Sequence, residues 1–437
     1  MSGLPWRRPR HLLALCAGLD LAACLVLAAA IDALRGTDLL AQPGWLVAFG
    51  LVYLLFGWLL GTYTVLRWPW LRLRLVILRL AITALATMLL VALVDWFLNL
   101  PAGLFLSHRS TQVYLLGSLS VWALLVRLAL RWVGRRYPQR DWGLMAAPHE
   151  TPSILREWQR TPFAVTPRVL PLSGHAVSPG GVVLGSDLRL APDQERQLRA
   201  LGEGGVPITT VIELAERELE RLPPALLPGD WLSQADIPWS DTFSVQRQLK
   251  RAADVVVALL LLLLALPVML LAGLLIWLED RGPVFYVQAR SGWMGKTFRL
   301  LKLRTMTDAD ADAPASWTVP GDGRITRVGQ VLRRVRLDEL PQLVNVLSGD
   351  MSLIGPRPER PEHEADLEAH IPHYRKRHWM RPGLSGWAQV SAPYAASLEE
   401  AELKLSYDLY YLHNWSTALD LLILFKTIKI VLKAGGR

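Results

Sequence analysis

Residues 333–360 read RRVRLDELPQLVNVLSGDMSLIGPRPER, and they place adjacent carboxylates, Asp338 and Glu339, between two groups of cations. Arg333, Arg334 and Arg336 precede the pair, and a second basic turn holds Arg357 and Arg360. Leu340, Leu343, Val344 and Leu347 recur at helical spacing, with Gly349 as a stop, so a short helix is predicted here. On that reading Asp338 is the N-cap and Pro341 lies in the first turn, where its missing N–H does no harm. An isolated Asp at such a position is a cap and nothing more. Enclosed by arginines and followed by the rigid Gly355-Pro356-Arg357-Pro358 turn, it instead marks a site for an anion such as a phosphate.

The flanking sequence extends that site. YVQARSGWMGKTFRLLKLRTM (286–306) has strand-like stretches, glycine turns and a close basic pair, Lys302 and Arg304. The acidic stretch 308–312 and its surroundings up to Asp322 read as a mobile loop. RKRHWMRPGLSGWAQV (375–390) joins a basic helix end to a Gly-rich turn, KLSYDLYYLHNWS (404–416) is an aromatic helix carrying Asp408, and residues 419–433 place lysines among apolar residues. Residues 282–437 thus form a mostly helical domain resting on a membrane. Lys302, Arg304, Arg357 and the arginines before Asp338, Arg333 among them, could together bind several phosphate oxygens. A divalent cation is the usual companion of carboxylates in such company, and Mg2+ is typically held by one or two carboxylates plus substrate phosphates, which makes Asp338 and Glu339 its candidate ligands. A carboxylate can also attack phosphorus directly, and Asp338, at a helix N-terminus beside arginines, is expected to stay ionised. Successive helical residues diverge by about 100°, so the pair is poorly placed to flank a glycosidic bond. Phosphoryl chemistry on a diphosphate fits better.

Immediately upstream, Ala252 to Leu278 is apolar and long enough to span a bilayer, with Arg247, Lys250 and Arg251 before it and Arg281, Arg290 and Lys296 after it. A straight span would put the basic C-terminal half outside the cell, against the charge rule. Pro267, near the middle, would remove a helix hydrogen bond. The expected form is therefore a re-entrant helix over 247–281 that breaks at Pro267 and returns to the same side.

Residues 133–246 are rich in Pro, Gly and charge. GGVVLGSD (180–187) reads as a strand and turn, Asp193 to Leu201 as a helix, and VPITTVIELAERELERL (206–222) as a strand leading into an amphipathic helix, which predicts a small cytoplasmic α/β module used for assembly or regulation. No GxGxxG follows a strand, so a dinucleotide site is not expected. Residues 1–132 hold four apolar segments: Leu12 to Leu34, Trp45 to Leu66, Leu75 to Leu98 and Gln112 to Trp132. Each approaches or exceeds the ~20 residues a crossing needs. The first is longer than the apolar core of a cleaved signal peptide, so an uncleaved helix is expected. Arg7, Arg8, Arg10, Arg67, Arg72, Arg74, Arg131, Arg135, Arg136 and Arg140 cluster on one side, which places the N-terminus and everything after the fourth helix in the cytoplasm. Asp20 and Asp95, within or near the ends of these segments, read as interfacial or helix-packing residues.

Composition agrees. Hydrophobic residues make up 52% and charged ones 19%, too apolar for an ordinary soluble enzyme, and eighteen tryptophans suit a membrane interface. The net charge of +9 points to an anionic membrane and phosphorylated substrates. The basic residues are dispersed over membrane flanks and motifs, so no nucleic-acid partner is expected. Cys16 and Cys24 both lie in the first apolar segment, and no Cys/His cluster implies zinc.

From about Gln248 onward the chain resembles the bacterial sugar transferases, the monotopic polyprenyl-phosphate sugar-1-phosphate transferases. Six motifs in order carry the resemblance: 250–267, 282–306, 324–334, 337–358, 381–390 and 407–416. The four preceding helices and the module resemble the long members of the family. The fold implied is a membrane protein of α plus α/β type. It combines a four-helix transmembrane bundle, a small α/β module, and a membrane-associated, mostly α catalytic domain with a broken re-entrant helix. The activity implied is transfer of a sugar-1-phosphate from a UDP-sugar to undecaprenyl phosphate, with release of UMP, to initiate exopolysaccharide, capsule or O-antigen synthesis at the bacterial inner membrane. In such enzymes the Asp of the DE pair, Asp338 here, is the nucleophile that forms a phospho-sugar intermediate. Glu339 would assist with Mg2+ or with activating the acceptor, Lys302, Arg304 and Arg357 match basic positions around the phosphates, and a homodimer is implied.

The chain departs from the family at Leu266, where a small polar residue is common, at Arg336, where Ser or Thr is usual, and at Ser391-Ala392-Pro393, where Asn-Gly is common. The rival readings are a non-catalytic membrane scaffold for glycan assembly and a lipid-diphosphate hydrolase. The intact DE pair and the arginine of the Pro-Arg-Pro turn speak against the scaffold.

Overall fold

A computed structural model gives the tertiary structure. It describes residues 9–63, 73–98, 109–136, 141–161, 166–170, 180–231, 245–307, 324–392 and 397–432. Arg7, Arg8, Arg67, Arg72, Arg140, Lys433 and the acidic stretch 308–312 lie outside the described residues. The chain divides into two compact units, Met1–Gln139 and Arg140–Arg437.

The first unit holds α1 (Pro9–Arg35), α2 (Pro43–Leu60), α3 (Leu73–Leu98) and α4 (Arg109–Arg136). Each contains a stretch long and apolar enough to cross a membrane. α2 stops short of the expected Leu66 because Gly61 adopts φ 81°, a left-handed cap open to a residue without Cβ. α1 and α3 each pack against both α2 and α4, burying Cys24, Phe49, Leu115 and Leu119, while leucines such as Leu51, Leu85 and Leu125 face outward. Asp20 is a helix-packing residue, as expected, and its partners come from far along the chain. Arg127 donates to both its oxygens at 3.0 and 2.7 Å, and the Tyr63 hydroxyl donates at 2.9 Å. A buried ion pair is tolerable when its lone pairs are filled in this way.

The second unit opens with β1 (Trp142–Met145), α5 (Thr151–Gln159), β2 (Arg168–Val169), β3 (Gly181–Leu184), α6 (Pro192–Glu203), β4 (Ile208–Thr210) and α7 (Val211–Glu218). The strands form one parallel sheet in the order β2-β1-β3-β4. Val182 and Val183 are fully buried, as parallel strands covered on both faces require. Ligands of such sheets bind beyond the strand C-termini where the strand order reverses, here between β1 and β3. In this chain the Glu150 carboxylate fills that place, accepting from the amides of Ala147, Ser186 and Asp187 at 2.8, 3.0 and 3.2 Å.

α8 (Val245–Asp280) follows, then the antiparallel hairpin β5 (Phe285–Ser291) and β6 (Thr297–Leu303), then α9 (Arg327–Arg334) and α10 (Gln342–Ser348). β7 (Ser352–Ile354), α11 (Pro361–His370), β8 (Gly383–Ser385), α12 (Trp387–Ser391), α13 (Leu398–His413) and α14 (Thr417–Leu432) complete the unit. α8 is continuous. Helical backbone runs on through Pro267, where the sequence predicts the break, since an interior proline removes a single N–H and bends a helix without having to end it. Both ends of α8 lodge in the same small domain. Near its start Arg251 donates to the carbonyls of Val346 and Leu347 at 2.6 and 2.9 Å, and Asp254 accepts from the Ser352 hydroxyl at 2.7 Å. Near its end Ala272 and Ile276 share a core with Leu303 and Leu332, and Asp280 pairs with Arg304.

The parallel module also packs into the rest of this unit. Leu222 and Leu227 enter the core built by α13 and α14. The Leu222 amide donates to the Ser406 carbonyl, and the Trp387 indole to the Glu220 carbonyl, at 2.8 and 2.9 Å.

Candidate active site

Asp338 and Glu339 lie in a 3-10 turn, Leu337–Glu339, and not at the N-cap of the following helix. The helix α10 begins only at Gln342, after Pro341. The cause is local. Arg336 takes a left-handed conformation (φ 58°, ψ 24°), which turns the chain sharply at the end of α9 and starts a tight turn before Pro341 can open the helix. Leu343 and Val346 bury the inner face of α10, and Gly349 at φ 92° ends it as expected.

Two devices set the cations around this turn. Asn345 staples α10 to β6: its side-chain oxygen accepts from the Leu301 amide at 3.1 Å, and its nitrogen donates to the Arg299 carbonyl at 2.8 Å. That fixes the next residue of β6, Lys302, with Nζ 3.7 Å from Glu339. The second device is the Gly355-Pro356-Arg357-Pro358 turn. Gly355 and Gly383 are packed backbone to backbone, so that a Cβ on Gly355 would stand 2.3 Å from the Arg381 carbonyl oxygen. Arg377 donates to the Arg357 carbonyl at 2.9 Å and to Asp408 at 2.9 Å, an ion pair buried on both sides. The Arg357 guanidinium then reaches Glu339 at 2.6 Å.

The two adjacent carboxylates end in opposite states. Glu339 collects the cations: Arg357 at 2.6 Å, and Lys302 and Arg336 at 3.7 Å each. Burial opposes its charge, but Arg357, Lys302 and Arg336 outweigh burial and hold the carboxyl at about 2. Among the described residues no ion pair forms to Asp338. Burial, and then the neighbouring Glu339 charge, push its carboxyl up to about 6, against the weaker pull of Lys302, Arg333 and Arg357. Burial likewise lowers Lys302 to about 8. Asp338 was expected to stay ionised as a helix cap. It is ionised at neutral pH, but as an uncapped, more basic carboxylate. Neighbours whose environments drive their pKa values apart are the signature of divided roles.

The sequence-predicted residues sort accordingly. Asp338, Glu339, Lys302 and Arg357 come together, and Arg333 lies close enough to act on Asp338 by charge. Arg304 does not join them. It is buried, bonded to the Pro283 carbonyl at 2.6 Å and paired with Asp280, where it locks the end of α8 to β6. Arg336, one of the arginines before Asp338 and a departure from the family pattern, also belongs to the site. Asn345, Arg377 and Asp408 were not read as supports, although a lone Asn inside an apolar helix face and an Asp amid buried aromatics are signals of buried polar duty.

A Mg2+ ion fits this donor set in one way. Glu339 faces cations on both oxygens, and among the described residues no group of three acidic or His/Cys side chains is assembled. An ion would therefore have to arrive on phosphate oxygens and take one carboxylate of the pair.

Chain comparisons bear on this geometry. The family model described as bacterial sugar transferase matches residues 245–434. The chain is 39% identical to a UDP-N-acetylgalactosamine-undecaprenyl-phosphate N-acetylgalactosaminephosphotransferase of Aeromonas hydrophila, over 57% of this chain and 59% of that one. It is 40% identical to the UDP-glucose:undecaprenyl-phosphate glucose-1-phosphate transferase of Escherichia coli, over 44% of this chain and 42% of that one. Identity to the protein of the same name in Caulobacter vibrioides is 45%, over 42% of this chain and 69% of that one. The chain thus spans under two thirds of the first two relatives.

Proposed function

The chain belongs to the bacterial sugar transferase family, and from that premise we propose that it moves a sugar-1-phosphate from a UDP-sugar to undecaprenyl phosphate, releasing UMP and initiating a surface glycan. The observation that carries the reading is the split pair: a nucleophile-ready Asp338 beside a Glu339 that gathers Arg357, Lys302 and Arg336.

In the first step an Asp338 oxygen attacks the sugar-bearing phosphorus. The bond from that phosphorus to the UMP oxygen breaks, and UMP leaves with the electron pair. In the second, an oxygen of the lipid phosphate attacks the same phosphorus, and the Asp338 carboxylate leaves unchanged. Two half-reactions on one carboxylate make a ping-pong sequence. Before substrate binds, Glu339 holds the cations in position, so little reorganisation is needed when charge develops on the phosphates. With Arg357 and Lys302 turned to an arriving diphosphate, Glu339 would be the carboxylate to hold a Mg2+ ion, which would supply further neutralisation of the diphosphate charge.

We further read α8 as re-entrant. Between Ala258 and Ala272, both buried against the same unit, lie only thirteen residues, 259–271. At 1.5 Å per residue they cover roughly 20 Å, short of the ~30 Å hydrocarbon core. A straight crossing would need this one domain on both sides of the bilayer. Exposed leucines over that stretch, Leu264 and Leu270 among them, suit insertion into one leaflet with the catalytic domain cytoplasmic. Residues 133–246 are read as an assembly module, and the assembly as a homodimer.

The test is UMP release in detergent with undecaprenyl phosphate, Mg2+ and a panel of UDP-sugars, for wild type and Asp338→Asn. Release with one sugar, together with lipid-diphosphate-sugar product and loss of both in the variant, is expected. UMP without lipid product would indicate a hydrolase, and silence across the panel from folded protein a scaffold. Turnover surviving in Asp338→Asn sinks the covalent step.

A further inference from the structure

A second cationic concavity lies where the chain enters α8, and none of its lining residues belongs to the Asp338 turn. Arg247, Lys250, Arg251 and Arg381 line it, with Asp254 as the one acidic lining residue. Much of this charge is already committed. Lys250 pairs with Asp420 at 2.8 Å, Arg251 caps the carbonyls at the C-terminal end of α10, and Asp254 is taken by Ser352 and the Leu353 amide.

Arg247 and Arg381 remain. Their guanidinium carbons stand 5.3 and 5.4 Å from the centre of one ring, that of Trp293. Among the described residues neither forms an ion pair, and the Arg381 Nε is buried without a hydrogen-bond partner. Burial, then Arg251 and Arg247, lower the pKa of Arg381, so the protein itself supplies too little negative charge here. Two like charges held on one indole are costly unless an anion joins them. The place is also distinctive: within about four turns beyond Arg247 the outward face of α8 becomes apolar, with Val256, Leu259 and Leu260 exposed. Tryptophan and arginine at such a boundary lie at headgroup depth.

We propose that this concavity binds the phosphate of a membrane-lipid headgroup between Arg247 and Arg381, with the lipid tail along the exposed leucines of α8. The proposal rests on the reading of α8 as membrane-seated, and it concerns a phosphate other than the one that reacts. Arg251 joins this site to the C-terminal end of α10, whereas Asp338 precedes the N-terminal end.

The test uses the full chain in detergent and short-chain phosphatidylglycerol as probe, with inorganic phosphate and undecaprenyl phosphate as competitors. Arg381→Gln, and Arg247→Gln with it, are expected to weaken phosphatidylglycerol binding at least tenfold, while Arg381→Lys retains most of it. The burst of UMP formed from UDP-sugar without acceptor should be unchanged in all three. Competition by undecaprenyl phosphate at low concentration would identify the occupant as an acceptor lipid waiting its turn, and its absence a resident phospholipid. Wild-type-like binding by the Gln variants, or free phosphate binding as tightly as the lipid, would overturn the proposal. Loss of the burst with intact lipid binding would strike the catalytic reading and leave this one standing.

Discussion

If Asp338 attacks as the carboxylate and Lys302 binds phosphate as the ammonium, kcat/KM for the UDP-sugar must follow a bell in pH whose limbs are those of the free enzyme. The acid limb should fall at about 6 and the alkaline limb at about 8. At pH 5 about one tenth of Asp338 is ionised, and at pH 9 about one tenth of Lys302 is protonated, so each unit beyond a limb costs about tenfold, or ~1.4 kcal/mol. Measuring kcat/KM for the donor matters, because in a ping-pong sequence it excludes the acceptor, whose own phosphate titrates near pH 6. Glu339→Gln then supplies the sharper test. The Glu339 charge raises both Asp338 and Lys302, so its removal must lower both. Burial, the largest cause at Asp338, remains, so the acid limb should stop short of an ordinary aspartate's value. The whole bell therefore moves toward acid, whatever happens to its height. UMP release at low donor concentration, normalised to each protein's own plateau, reads the limbs. A wild-type acid limb near 4, or limbs that move apart or stay fixed in the variant, would refute the assigned electrostatics.

Other consequences concern stability and support. Asp338 binds a proton more tightly folded than unfolded, so its cost to stability is absent below pH 3.8 and complete above about 6. Asp338→Asn should accordingly stabilise the protein by about 1–2 kcal/mol at pH 8, allowing for partial screening, and by much less at pH 4, as thermal melts at the two values would report. Asp408→Ala should destabilise by about 3–5 kcal/mol, since it leaves Arg377 buried and unpaired and loosens the turn carrying Arg357; chemical unfolding measures it. Asn345→Ala should cost about 1–3 kcal/mol by orphaning the Leu301 amide and Arg299 carbonyl, and it should also reduce kcat/KM through a displaced Lys302. Arg304→Gln should lower the melting temperature while leaving both limbs of the pH profile in place, because that side chain is tied to Asp280 away from the phosphates.

What the sequence determined by itself was everything encoded locally or by composition. Apolar runs of sufficient length specify the helices α1 to α4 and α8, since the period and extent of hydrophobicity are properties of neighbouring residues. Val206 to Leu222 declared a strand leading into a helix, and the structure has β4 and α7, with Thr210 and Glu213 forming the capping box between them. Spacing also put Asp338 and Glu339 beside a cluster of cations. What it could not give was the distribution of those cations. Lys302 on β6 and Arg304 just past its end are two residues apart and look equivalent as letters, yet Arg304 locks α8 and Lys302 faces Glu339. Asp338 looked like a cap, but the positive φ of Arg336 turned that segment into a 3-10 turn. Partners such as Asp20 with Arg127 and Arg377 with Asp408 lie far apart in sequence, and the dielectric and field at each group depend on which distant side chains pack around it. The identity of the reactive residues is therefore local chemistry, whereas which carboxylate is free and which is held follows from long-range packing.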